Sequence, residues 1–232
     1  MGKRLKQQAR GKGGPKYRAP SHRYKYDITY PSRNLEGTVR KLINDPARTG
    51  VIAEIQYTNG KKGYLLAPEG LRVHQKISVG GGDVSVGNVM QLSNIPEGTL
   101  VYNLEKQRFD GGKLVRSSGT YATVVSHEDG KTVVQLPSKQ MKTFSSAVRA
   151  TIGVVSGGGR PEKPMLKSGK KFHALQSKAQ SHVHVSGVSM NAVDHPFGGG
   201  QHDIKGKPAT VSRNAPPGRK VGLIKAKRTG RK

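Results

Sequence analysis

The residues best equipped for chemistry lie in one stretch, Asn191-Ala192-Val193-Asp194-His195-Pro196-Phe197-Gly198-Gly199-Gly200. An imidazole such as that of His195 titrates near neutrality and can move protons. Asp194 is its neighbour in sequence, but adjacency does not aim one side chain at the other, and no nucleophile is legible beside them. A structural role for His195, hydrogen-bonding a partner or locking the loop, therefore outweighs a general acid–base role; His195 is the one catalytic candidate and no catalytic residue is assigned. The amides of Gly198, Gly199 and Gly200 carry no side chains and can approach another backbone closely, a phosphate backbone above all. This run lacks the Gly-Lys-Ser/Thr ending and the strand–loop–helix frame of a nucleotide-binding loop, so no cofactor is expected. His182 and His184 alternate and would share one face of a strand, with His202 or Asp203 as a conceivable third ligand. A polycationic segment competes against a divalent ion, and no supporting shell is legible around these residues or around His173, so no metal is expected.

The loop that carries His195 cannot be a regular element. Pro196 removes a donor and pushes His195 out of the helical region, and the glycines open conformations closed to other residues. It holds too few apolar side chains to offset its own ordering, so an external template is expected to shape it.

The net charge of +27 over 232 residues, from 41 Lys and Arg against 14 Asp and Glu, predicts a polyanionic partner. Residues 1–34 carry a net +9, residues 35–159 a net +5 and residues 160–232 a net +13. Basic, core-poor ends flanking an ordinary middle are a nucleic-acid-binding layout. No apolar run approaches the roughly 20 residues of a spanning helix, and no apolar region follows the basic start, so neither membrane nor signal peptide is expected. The absence of cysteine excludes disulfides and thiolate metal sites and fits an intracellular protein. With 33% hydrophobic residues and no Trp, one or two small cores are expected rather than one large one.

Residues 1–34 show no helical or strand periodicity; Tyr17, Tyr24 and Tyr26 interleave with Arg18, Arg23 and Lys25, as suits an RNA-binding arm. Residues 35–86 read as short strands, 36–43, 51–57, 64–67 and 73–79, with a hairpin signal at Asn59-Gly60. Residues 87–98 read as a connection. Strands over 99–104, 121–126, 132–136 and 150–155 make a second all-β unit within residues 87–159, of SH3-barrel size. Lys113, Arg116 and Ser117 form a candidate phosphate-contacting loop. In residues 160–232 one short helix is expected at 172–179; the rest is irregular and basic.

Several motifs carry a resemblance: Asn191 to Gly200, Gly119-Thr120-Tyr121, Arg149-Ala150-Thr151-Ile152-Gly153, and Ser212-Arg213-Asn214-Ala215-Pro216-Pro217-Gly218-Arg219-Lys220. Together they closely resemble the universal large-subunit ribosomal protein L-two family, in order along essentially the whole chain. Phe197, Gly2-Lys3-Arg4 and Arg18-Ala19-Pro20-Ser21-His22-Arg23 give it an archaeal or eukaryotic character, and the length fits an archaeal member. The resemblance implies an all-β chain in which an OB-fold barrel (35–86) is followed by an SH3-like barrel (87–159), with long irregular basic extensions. It implies a cytoplasmic, non-enzymatic constituent of the large ribosomal subunit, bound to large-subunit rRNA near the peptidyl transferase centre. Subunit association, tRNA binding and peptide-bond formation would be supported there, with small-subunit rRNA, other ribosomal proteins and, indirectly, tRNA as partners. The histidine of the family's motif falls on His195.

The expected RNA-contacting residues are Arg10, Lys16, Tyr17, Arg18, His22 and Arg23 in the first arm, and Lys113, Arg116 and Ser117 in the second β unit. In the C-terminal extension they are Lys171, Asn191, His195, Gly198, Gly199, Gly200, Arg213, Asn214, Arg219, Lys220, Lys227 and Arg228. Two rivals share the composition: a His195-dependent RNA-processing enzyme, and a DNA-compacting basic protein.

Overall fold

The computed structural model describes residues 2–180, 182–201, 206 and 208–225. They fall into two compact units, one of residues 21–166 and one combining the first 20 residues with the segment from Lys167 onward. No helix among the described residues is long and apolar enough to cross a membrane.

The 21–166 unit is all-β. Its strands are β1 (Leu35–Ile43), β2 (Ile52–Tyr57), β3 (Lys62–Leu66), β4 (Lys76–Val79), β5 (Val89–Gln91), β6 (Leu100–Tyr102), β7 (Ala122–Glu128), β8 (Lys131–Gln135), β9 (Met141–Ser145) and β10 (Arg149–Ile152). They form one sheet in the order β3-β2-β1-β4-β5-β10-β6-β7-β8-β9. β2 lies between two antiparallel partners and is buried along most of its length, with Ile52, Ala53, Ile55 and Tyr57 as its apolar side chains. Glu54 is buried there with its carboxylate 3.1 Å from the Lys62 ammonium on β3. The Asn59-Gly60 signal is realised as the β2–β3 turn: Gly60 takes φ +77° and Asn59 Oδ1 accepts the Lys61 amide at 3.0 Å. Asp129 and Gly130, both at positive φ, make the corresponding two-residue turn between β7 and β8.

Each strand series has its own core. Val39, Ala53, Ile55, Leu65, Ile77 and Val79 pack in the first, and Leu92, Ile95, Val101, Leu104, Val124, Val134, Phe144 and Ile152 in the second. A third cluster, Ile28, Ile52, Leu66, Tyr102 and Val155, draws on both series. There the Tyr102 hydroxyl donates to Leu66 O at 2.9 Å. The Tyr30 hydroxyl donates to Asn103 O at 2.7 Å and lies 2.6 Å from Thr151 Oγ1. The two series are therefore one hydrogen-bonded body, joined in the ladder by the parallel pair Val79–Val89.

Four local readings of the sequence need correction. Residues 87–98, expected to be a plain connection, contain β5. β9 lies in a stretch where no strand is read. The N-terminal segment holds a helix, α1 (Lys6–Gly11), and contributes buried Ile28 and Tyr30 to the β unit. The helix expected at 172–179 is α2 (Ser168–Gln176), shifted towards the N-terminus.

The other unit contains α1, α2 and a parallel two-stranded ladder of β11 (Thr210–Val211) and β12 (Leu223–Ile224). Among its described residues only Leu5, Ser177 and Val221 are buried. So small an apolar core leaves turns and backbone hydrogen bonds as the main source of its shape.

Candidate nucleic-acid interface

In the 187–200 loop the chain folds on itself through consecutive turns. Met190 N–H donates to Gly187 O at 3.3 Å, and Asp194 and His195 N–H both donate to Asn191 O, at 3.0 and 3.2 Å. Gly198 N–H donates to His195 O at 2.9 Å, and Gly199 N–H to Met190 O at 3.1 Å. Two of the three glycine amides expected to face a phosphate are thus satisfied inside the loop. The glycines instead permit close approach of the loop to itself: a Cβ on Gly198 would run into the carbonyl oxygens of Asn191 and Met190, and one on Gly187 into the His195 ring.

His195 is not paired with Asp194. Its Nδ1 accepts the Phe197 amide at 3.0 Å, which leaves Nε2 to carry the proton of the neutral ring. Burial also pushes its pKa below the ordinary histidine value. Asp194 turns to the Lys3 ammonium, 3.2 Å away, and the Lys3 amide donates to Val193 O at 2.7 Å. The arrangement supplies a neutral N–H donor at Nε2.

The N-terminal segment and this loop enclose a cleft of about 580 Å³ within the one unit. Lys3, Arg4, Lys6 and Arg10 line one side, and His184, Gly187, His195 and Phe197 the other, with Asp194 the one carboxylate among the described residues. α1 is set by Leu5, whose amide donates to Gln8 Oε1 at 2.9 Å and whose side chain is buried. Asn191, although exposed, works through its backbone carbonyl in the loop turns.

The remaining predicted residues are spread over both units. Arg10 lies 6.0 Å from the Tyr17 ring. Lys16, Arg18, His22, Lys113, Ser117, Lys171, Arg213, Asn214, Arg219 and Lys220 are exposed, and Tyr17 and Arg23 half-buried. Arg213 and Asn214 share a shallow pocket with Lys225. Arg116 is engaged by its own unit, donating to Gly112 O at 3.1 Å and Ile28 O at 3.4 Å; burial and the nearby Arg48 lower its pKa. Tyr24 and Tyr26, read as stacking residues, also have protein partners: Arg48 lies 4.9 Å from the Tyr24 ring, and Tyr26 stacks on Tyr64 at 4.0 Å. Lys227 and Arg228 lie outside the described residues, as do His202 and Asp203. His182 Nε2 is 2.6 Å from Ser168 Oγ, and among the described residues no three His, Asp or Glu side chains converge as a metal site.

Sequence reasoning missed Lys3, Arg4 and Lys6 as partners of the His195 loop. Their charge was visible, but nothing local tied them to a loop almost two hundred residues away.

Two family models match, "Ribosomal Proteins L2, RNA binding N-terminal domain" over residues 3–79 and "Ribosomal Proteins L2, C-terminal domain" over residues 85–220. The large ribosomal subunit protein uL2 of Methanothermobacter thermautotrophicus is 51% identical over 240 residues, covering all of both chains. Those of Methanococcoides burtonii and Methanococcus vannielii are 51% and 52% identical, again end to end. With its full length aligned and both halves matched, the chain belongs to the ribosomal protein L2 family.

Proposed function

We propose that this chain is a structural constituent of the large ribosomal subunit, working in the cytoplasm as an rRNA-binding protein and not as an enzyme. Membership of the family along the whole chain carries the reading. The net charge of +27 and the cationic cleft beside His195 supply the means. Within residues 35–86 and 87–159 the two strand series act as an OB-fold barrel and an SH3-like barrel that dock on folded RNA. Residues 1–34 and 160–232 provide the basic extensions. Lys and Arg neutralise phosphates, and recognition rests on the shape of folded RNA more than on linear sequence.

The expected contacts named from the sequence are retained here, with two changes of role. Gly198 and Gly199 shape the loop rather than offering their amides, and Arg116 braces its own loop. His195 donates from Nε2 to an RNA acceptor. A place near the peptidyl transferase centre follows from family resemblance, as do support of subunit association and contacts with small-subunit rRNA, other ribosomal proteins and tRNA. Crosslinking of the full chain in cells, with sequencing of the attached RNA, tests the proposal. Large-subunit rRNA is the expected catch; predominantly messenger RNA or DNA would overturn it.

A further inference from the structure

The inference rests on the RNA-binding reading and extends it from Lys113, already among the contacts above, to residues that are not: Lys106, Arg108 and Phe109. Between β6 and β7 the chain displays Phe109 with 55% of its surface exposed and its backbone at φ +66°. A bulky residue in the left-handed region is strained, and an exposed aromatic gains little from packing to offset that. The loop is nonetheless firmly built. The buried Glu105 carboxylate accepts the Phe109 and Gly111 amides, both at 3.3 Å. Asp110 accepts those of Lys106, Gln107 and Gly112 at 2.9, 3.2 and 3.0 Å.

Behind the ring runs an alternation of aromatic and cationic groups. The Arg149 guanidinium carbon lies 5.2 Å from the buried Tyr30 ring and 5.0 Å from that of Phe109, and the exposed Arg108 lies 4.8 Å from the Phe109 ring. Core packing accounts for Tyr30 and Arg149 but for neither Phe109 nor Arg108. Lys106 and Lys113 are exposed on the same loop. A flat apolar group with cations around it matches the two faces of a nucleotide, its base and its phosphates.

We propose that the Lys106–Lys113 loop is a stacking platform for an unpaired RNA base. Phe109 and Arg108 receive the base plane, and Lys106 and Lys113 hold the flanking phosphates.

The test uses the full chain with a single-stranded RNA decamer containing 2-aminopurine, and an RNA duplex as control. The protein has no Trp, so the probe reports without protein interference. The informative variant is F109G, because glycine relieves the strain while deleting the ring. F109G should melt no lower than the parent, lose the stacking-induced quenching, and bind the decamer between roughly 5-fold and 100-fold more weakly. Duplex affinity should stay within about twofold, since phosphate contacts are retained. F109Y should restore quenching. R108K, which keeps the charge but not the plane, should lower decamer affinity alone. Unchanged decamer binding and quenching in F109G, or an equal loss for decamer and duplex, would overturn the platform while leaving the RNA-binding reading intact. A parent chain that binds neither RNA at low salt would sink both.

Discussion

The Asp194 carboxylate lies 3.2 Å from the Lys3 ammonium, tying the start of the chain to the His195 loop. With Asp194 held there and His195 Nδ1 engaged by the Phe197 amide, the adjacent acid and imidazole act independently. D194N should therefore leave the His195 titration midpoint nearly unmoved in an NMR pH series. It should cost less than about 1 kcal/mol, because Lys3 is 70% exposed and solvent screens the pair. A clear fall in the midpoint would show that the carboxylate had been supporting the imidazolium after all.

The His195 titration itself has a definite sign. Burial lowers the pKa, and protonating Nδ1 would abolish its acceptor role towards Phe197. The unfolded chain then binds a proton more readily than the folded loop, so this contribution to stability is complete above the ordinary value and falls as pH drops below it. We expect His195 to titrate below 6.5, its ordinary value. In H195Q the loop should lose this acid sensitivity, as read by hydrogen exchange at the Gly198 and Gly199 amides from neutral to mildly acidic pH.

Gly198 and Gly200 should respond differently to alanine. A Cβ at Gly198 strikes two backbone carbonyls, whereas at Gly200 it meets open space and suffers only from the φ of +94°. G200A should cost about 1–2 kcal/mol locally. G198A should dismantle the turn, exposing the Gly199 amide to rapid exchange and weakening RNA binding more than G200A. Equal effects would show that close packing within the loop does not set its shape.

Most of the strands were legible because short runs of strand-forming residues were set apart by turn chemistry, explicit above all at Asn59-Gly60. β5 was not, since a three-residue strand has too little pattern to show a period, and its role depends on Val79 in the other series. β9 presents one buried residue, Phe144, in five and lacks the alternation of a half-buried strand. At the site, the importance of His195 and the basic arms could be read from residue type. The capture of Asp194 by Lys3 could not, because it depends on a long-range approach with no local signature. The closing of Gly198 and Gly199 onto the loop was equally hidden: glycine permits both an open amide cradle and a tight self-packed turn, and only the backbone path chooses between them.

The buried pair of Glu105 and Arg149 should be the most sensitive point of the β unit. Glu105 is fully buried; it lies 2.8 Å from Arg149 Nη2 and 3.2 Å from Nε, and accepts the Arg149 amide at 2.9 Å. Arg149 Nη1 also reaches Pro31 O at 2.6 Å, fastening residues ahead of β1 to β10. E105Q keeps the shape but leaves a buried guanidinium without its counter-charge, a loss of about 3–5 kcal/mol. In thermal denaturation of the full chain, the β unit should melt roughly 6–20 °C lower. Adding R149M removes the orphaned charge, and the one oxygen of the introduced carboxamide can still accept the Phe109 and Arg149 amides that Glu105 Oε2 accepts, leaving the Gly111 amide without its Oε1 acceptor, so E105Q/R149M should recover part of the loss. If the double variant melts as far down as the E105Q loss and that of R149M alone added together, the pair is not coupled and the β unit draws its stability from Tyr30, Tyr102 and the surrounding apolar contacts.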